Sequence, residues 1–313
     1  MANNILFIPF INDVKFVELS PTEIPAYLTK HFDDYKFAAQ IADTPWIEQV
    51  AYIQKWQTSD IIKLQIESNY APINIILITA DDTVITTVTA QNIRANKYEA
   101  GLYVYEAEIS LAGIDPGCYY LKLEAGSPVL KTLVSEPLNI LVKHDNSVFL
   151  EYSNSRYHAD VIFETGIVLG MRVEGVLTGY TPGGKRNIYE DEKLNPTVLS
   201  AKPFRTFTLS VGAVPDWIID KLMWIWSCNN VLVDGKSFAM TDETFEIKEL
   251  DTLYPLRSVN IKLREGINRG SKIIKATGNQ NLKLVVGLNI SSSLFGDTSG
   301  NGNSNTIKIF DVE

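Results

Sequence analysis

Apolar and polar residues alternate along most of this chain. "DIIKLQIES" sets Ile62, Leu64 and Ile66 on one side and Lys63, Gln65 and Glu67 on the other, the period-two pattern of a strand with one face in a core. Runs of the same kind follow at short spacing over 73–79, 83–93, 102–110, 117–126 and 136–143, each bounded by Asp, Asn, Gly or Pro. None holds a 3.6-residue period. The pattern therefore predicts an antiparallel β-sandwich over residues 1–145.

Within that sandwich Asp115-Pro116-Gly117 supplies a turn, and the Tyr-Tyr strand after it resembles the late strand of an immunoglobulin-like (Ig-like) domain. The polar stretch "KHDNS" (143–147) then opens a second domain, predicted over 146–265. Its pattern gives a long strand over 166–180, another over 205–212 and a closing strand over 254–265. Between the first two, "TPGGKRNIYEDEKLNP" is an excursion rich in turn formers and charges, either a projecting arm or a disordered tip.

One helix is predicted over 215–227. Pro215 suits a first turn, Asp216 complements the helix dipole, and Ile218, Leu222 and Ile225 fall at i, i+4 and i+7. Trp217 and Trp224 lie near that stripe, and Trp226 is expected on another face. Asp234-Gly235 between two apolar runs signals a hairpin. From Gly266 the composition turns linker-like, with strand patterns over 281–290 and 306–312 flanking a Gly, Ser and Asn loop. An isolated pair of strands is marginal alone, so 266–313 reads as a β extension seeking partner strands on this chain or a neighbour. The expected fold is mainly β: an N-terminal Ig-like sandwich, a β-rich α+β domain with one packed helix, and the extension.

A formal charge of -9 with scattered lysines and arginines offers no basic face for phosphates, so sequence-specific nucleic-acid binding is disfavoured. No apolar run approaches the roughly 20 residues of a membrane helix. "MANNILFIPFIND", interrupted by Pro9 and Asn12, reads as a strand and not a secretory signal, which leads us to expect synthesis in a cytoplasm. Cys118 and Cys228 stand far apart in different predicted domains and read as two buried thiols.

Reactive constellations are scarce. His31, His144 and His158 show no metal-ligand spacing. Gly183-Gly184-Lys185 lacks the preceding glycine of a phosphate loop and reads as a turn. Glu190, Asp191 and Glu192 could serve calcium or glycoside hydrolysis, but three consecutive acids on a polar loop are more simply solvated. Trp46, Trp56, Tyr52, Tyr119 and Tyr120 could form a sugar-stacking platform or serve as core anchors. The core reading is preferred: Trp56 anchors the first core with Tyr52 beside it, while Gln54, Lys55 and Gln57 face water or a partner. No catalytic, cofactor-binding or metal-binding set is expected, and no enzyme.

"PWIEQVAYIQKWQTSDIIKLQIES" is similar to a stretch met in proteins of Bacteroidetes phages and prophages encoded among tail genes. "RTFTLSVGAVPDWIIDKLMWIWSCNNVLVDGKSF", followed by a Tyr-Pro-Leu strand, resembles a second block of the same proteins. The resemblance covers much of 45–68 and 204–265. It implies a structural component of a phage tail, of distal-tail, baseplate or tail-ring type, made in the host cytoplasm and located in the virion. A homo-oligomeric ring of six or twelve copies would touch neighbouring tail or portal-proximal proteins, with DNA passing through an acidic lumen. The family offers no catalytic residues to carry over. The alternative is a carbohydrate-binding or adhesion protein recognising a bacterial surface, which needs exposed, coplanar aromatics on a sandwich face.

Overall fold

In the computed structural model the residues described are 5–20, 22–30, 52–127, 129, 131–190, 192–241, 245–249 and 256–266. His31, Trp46, Asp191 and all of the predicted extension beyond Gly266 lie outside them. The chain is mainly β, as the alternation predicts.

The first lobe comprises β1 (Leu6–Phe7), β2 (Phe16–Glu18), α1 (Ile24–Lys30), β3 (Gln54–Gln57), β4 (Ile61–Ser68), β5 (Ile73–Ile78), β6 (Val84–Thr89), β7 (Gln91–Ala95), β8 (Tyr103–Ser110), β9 (Gly117–Ala125), β10 (Lys131–Ser135) and β11 (Leu138–Leu141). One sheet runs β1-β4-β8-β7. The other runs β2-β10-β9-β11-β3, with β5 on the free side of β9 and β6 on β5. Their inner faces share a core that includes Trp56, Ile62, Leu64, Ile66, Leu77 and Leu123. A tight turn after β3, closed by Gln57 N–H on Asp60 Oδ2 (2.8 Å), moves the chain from one sheet to the other. Trp56 and Ile62 therefore enter the core from opposite layers.

Three features depart from the predicted sandwich. β3 pairs with β11 in parallel, so the sandwich is not wholly antiparallel. The expected single strand over 83–93 breaks at buried Ala90, with β6 in one sheet and β7 in the other. And α1 was not anticipated, although its signal is present: Ser20 N–H and Oγ both donate to Glu23 Oε2, the side-chain half of a Ser-x-x-Glu capping motif. Ile24 and Leu28 of α1 pack on Ile76, Ile78, Tyr120 and Val134, on the outer side of the second sheet.

The second lobe holds β12 (Ser147–Ser153), β13 (Tyr157–His158), β14 (Val161–Ile162), β15 (Leu169–Glu190), β16 (Pro196–Val214), α2 (Asp216–Trp226), β17 (Asn230–Val233), β18 (Lys236–Met240), β19 (Glu246–Glu249) and β20 (Arg257–Glu265). The order β16-β15-β12-β17-β18-β20 closes on itself because β16 also pairs with β20, and every pairing in the ring is antiparallel. Closure removes the free edges of those strands. The β17–β18 turn is the predicted one: Asp234 and Gly235 both have positive φ, 47° and 75°, as a type I′ hairpin requires.

Helix α2 lies where the periodicity predicts, with Ile218, Ile219, Leu222 and Ile225 in the second core. The tryptophans are exchanged relative to expectation: Trp226 is buried and Trp224 is half exposed. At 100° per residue Trp226 falls four positions after Leu222, on the buried stripe, whereas Trp224 lies on a flank. Lys221 is fully buried in the same helix, which amphipathic patterning alone assigns to solvent.

Candidate functional site

The residues singled out as possible chemistry do not converge. His144 is buried, with Nε2 3.1 Å from Asn139 O. His158 lies elsewhere, with Nε2 2.8 Å from Ser227 Oγ and its ring beside Trp224. Among the described residues no group of three or more His, Cys, Asp or Glu could hold a metal ion. Neither cysteine is in a disulfide; Cys228 is buried, which pushes its thiol up to about 12, whereas Cys118, expected to be buried, is only half-buried.

Trp56 is wholly buried, edge-on to Phe149 of the second lobe at 6.2 Å between ring centroids. It is a packing anchor, as expected. Tyr52 is not beside it: its ring meets Trp217 at 5.9 Å and 84°, on the second lobe's core. Gln54, expected to face water or a partner, is fully buried and donates to Asp13 O (2.7 Å). Lys55 pairs with Glu174 across the lobes. Tyr119 and Tyr120 are also buried, the first donating to Asp115 O and the second to Leu28 O, both at 2.8 Å. These aromatics therefore make no surface platform.

Two features stand out. The first is the junction of the lobes, where residues 11–14 thread between them. Ile11 belongs to the second core and Val14 to the first. The Asn12 amide accepts from Gln65 N–H (2.8 Å) and donates to Gln65 O (2.7 Å), replacing a neighbouring strand for that residue. The Gln65 amide does the same for Ile162, accepting from its N–H (2.7 Å) and donating to its carbonyl (3.1 Å). Asp13 accepts from Lys63 N–H and Gly170 N–H, both at 2.6 Å. Lys221 Nζ donates to the carbonyls of Asn12 and Asp13.

Burial pushes the Asp13 carboxyl up to about 8, against the pull of those two amides and of Lys221. Burial likewise brings the Lys221 ammonium down to about 8. Beside them Arg172 grips Asp60 with two parallel hydrogen bonds of 2.8 and 2.7 Å, both side chains almost out of water. Patterning along the chain could not reveal this cluster, because Asn12 and Asp13 read as an interruption in an apolar run.

The second feature is the 181–196 excursion, which is an arm. β15 and β16 leave the barrel and continue as a two-stranded ribbon, paired from Thr181↔Thr206 out to Glu190↔Pro196. A bulge between Thr178 and Thr181, with Gly179 at φ 74°, bends β15 where it departs. Gly183-Gly184-Lys185 lies within this strand and is neither a turn nor a phosphate loop. The Phe204 ring lies over Gly183 so closely that a Cβ there would sit 2.5 Å from it, and the Arg264 guanidinium lies over the same ring, 4.3 Å from its centroid. Here glycine permits a cross-strand aromatic to cover the backbone.

The bulge exposes Tyr180, and beyond it the ribbon exposes Ile188, Tyr189, Val198 and Leu199. At its tip Leu194 is 76% exposed and held at φ 60°. A left-handed conformation costs an L-residue about 1–2 kcal/mol, and nothing in the described chain packs on this leucine in return. The arm also differs in charge. Residues 179–205 carry five Lys or Arg against three Asp or Glu, a net +2 in a chain of -9, which leaves -11 for the remainder. Compared with known proteins, the chain matches no protein family, no curated protein and no solved structure.

Proposed function

We propose that this chain is a non-enzymatic structural component of a phage virion, assembling into a homo-oligomeric ring in the tail, tail hub or baseplate. The observation that carries the reading is the arm: a ribbon that projects beyond its own barrel exposes large apolar residues, which is the mark of a surface awaiting a partner. An arm on one side of a subunit and a receiving surface elsewhere make a heterologous contact, and such contacts close into rings when the rotation permits. The resemblance to phage tail proteins supplies the setting and the expectation of six or twelve copies. The net negative charge suits a lumen through which DNA passes.

Mass photometry of the purified chain and immuno-electron microscopy of virions test this. A closed oligomer and antibody labelling of the tail are expected. A strict monomer at every concentration, together with virions that carry no label, would overturn the reading.

A further inference from the structure

The first lobe has an open pocket of about 330 Å³ between β1 and β2. Leu6, Ile8, Phe10, Val14, Phe16 and Leu133 give it an apolar floor, and Lys15, Lys131 and Glu18 stand around it. Both flanking strands are sheet edges: β1 pairs with β4 and β2 with β10, and among the described residues neither has a partner on its other side. An apolar cleft between two free edges is a place where another segment of chain can add both side-chain burial and backbone hydrogen bonds.

We propose that the tip of the arm of one copy seats in this pocket on the next copy. The proposal rests on the ring reading and specifies its contact. Three observations select this occupant. First, reach: the ten residues Thr181–Glu190 of β15 carry the tip about 30 Å from the barrel at roughly 3.3 Å per residue, far enough to cross onto a neighbour.

Second, shape and polarity. Leu194 projects at the turn, with Ile188, Tyr189 and Leu199 exposed just behind it, and the pocket offers an apolar floor of matching character. The left-handed Leu194 is thereby explained: the strained turn presents its side chain outward, toward a site that only another molecule supplies.

Third, charge. Glu190 and Glu192 near the tip are acidic, and the pocket is bordered by two lysines and one carboxylate: Lys131, which pairs with Glu18 at 2.8 Å, and Lys15, which pairs with Glu136 at 3.5 Å, so the tip carboxylates would share or displace these pairings. Behind the tip the shaft is basic, with Lys185, Arg186, Lys202 and Arg205, and would run along a body whose charge is strongly negative. In this orientation the acidic tip lies beside the two lysines and the basic shaft beside the acidic body.

The test uses the full chain, with folding verified by circular dichroism. Glu190→Lys/Glu192→Lys at the tip and Lys131→Glu at the pocket should each weaken self-association about tenfold, and the three changes combined should restore most of it. Leu194→Cys with Phe10→Cys should give intermolecular disulfide-linked ladders that each single variant lacks. If the wild-type chain stays monomeric, the ring reading falls and this contact falls with it. If the wild type assembles while the charge variants assemble equally well and no ladder forms, the docking alone is overturned and the ring stands.

Discussion

At the lobe junction this chain buries polar groups, and along the arm it exposes apolar ones. Asn12, Asp13, Asp60, Gln65, Arg172 and Lys221 are withdrawn from water, and each meets partners contributed by distant parts of the chain. Tyr180, Ile188, Tyr189, Leu194, Val198 and Leu199 remain in water. The usual sorting is inverted in both places, for different reasons. Buried polar groups are tolerable when they find hydrogen-bond partners, and these six find theirs only if both lobes hold one relative position. Exposed apolar residues are tolerable in small number, and a row of them on a projecting ribbon becomes favourable once something covers it. Internal order therefore resides in the junction, and the proposed capacity for association in the arm.

The strongest way to break this contrast is to remove half of the buried ion pair. Arg172→Ala leaves the Asp60 carboxylate buried without its guanidinium and should cost about 3–5 kcal/mol in urea unfolding. Arg205→Ala on the arm, whose contact with Glu265 is exposed, should cost under about 1 kcal/mol. Equal losses from the two would erase the distinction.

Trp56→Ala tests the anchor that joins the first core to Phe149, and a loss of about 3–5 kcal/mol is expected. A melting temperature unchanged within about a degree would remove Trp56 from the core's support.

A pH series sharpens the junction side. Asp13, raised to about 8 in the folded chain, keeps a proton that the unfolded chain has released above about pH 4, so stability should fall as pH rises from about 4 to 8. Burial raises Glu67 and Glu136 as well, adding to the decline at its acid end. Lys221, lowered to about 8, reverses the slope between 8 and its unfolded value of 10.5, since the unfolded state there binds the extra proton. Half-buried Glu164, held low by Lys97, acts only at the acid extreme, where its stabilisation is lost. A minimum of melting temperature near pH 8 is expected, and a steady rise from pH 5 to 8 would contradict the buried cluster.

The smallest effect should carry opposite signs in the two regions. Leu194→Gly relieves the left-handed backbone and should stabilise the isolated chain by up to about 1 kcal/mol, while weakening its self-association. A variant that gains stability and assembles unchanged would free Leu194 of any role in contact.

Much of this architecture is legible in short windows of residues. The alternation of Ile62, Leu64 and Ile66, the Asp234-Gly235 turn and the helix beginning at Pro215 all report local backbone preferences and one-sided burial, which adjacent residues encode by their spacing. The Ser20 and Glu23 pair belongs with them and marks α1 in the same way. The arm was half legible: its turn formers and charges announced an excursion, but they left an arm and a disordered tip equally open. That it is a ribbon depends on the strand register from Thr181 to Glu190 against 196–206, and on Phe204 lying over Gly183.

The mainly β character, the main helix, the hairpin and the burial of Trp56 are written in the order of neighbouring side chains. It took the folded chain to put Asn12, Asp13 and Lys221 in the interior, to bring Tyr52 and Gln54 to the lobe junction, to run β3 parallel to β11 and to cover Trp226 rather than Trp224. These depend on partners such as Gly170, which lies 157 residues from Asp13 along the chain. A polar residue is stable in the interior when its hydrogen bonds are completed there, and which distant groups complete them is settled by how the lobes pack, not by the residues on either side.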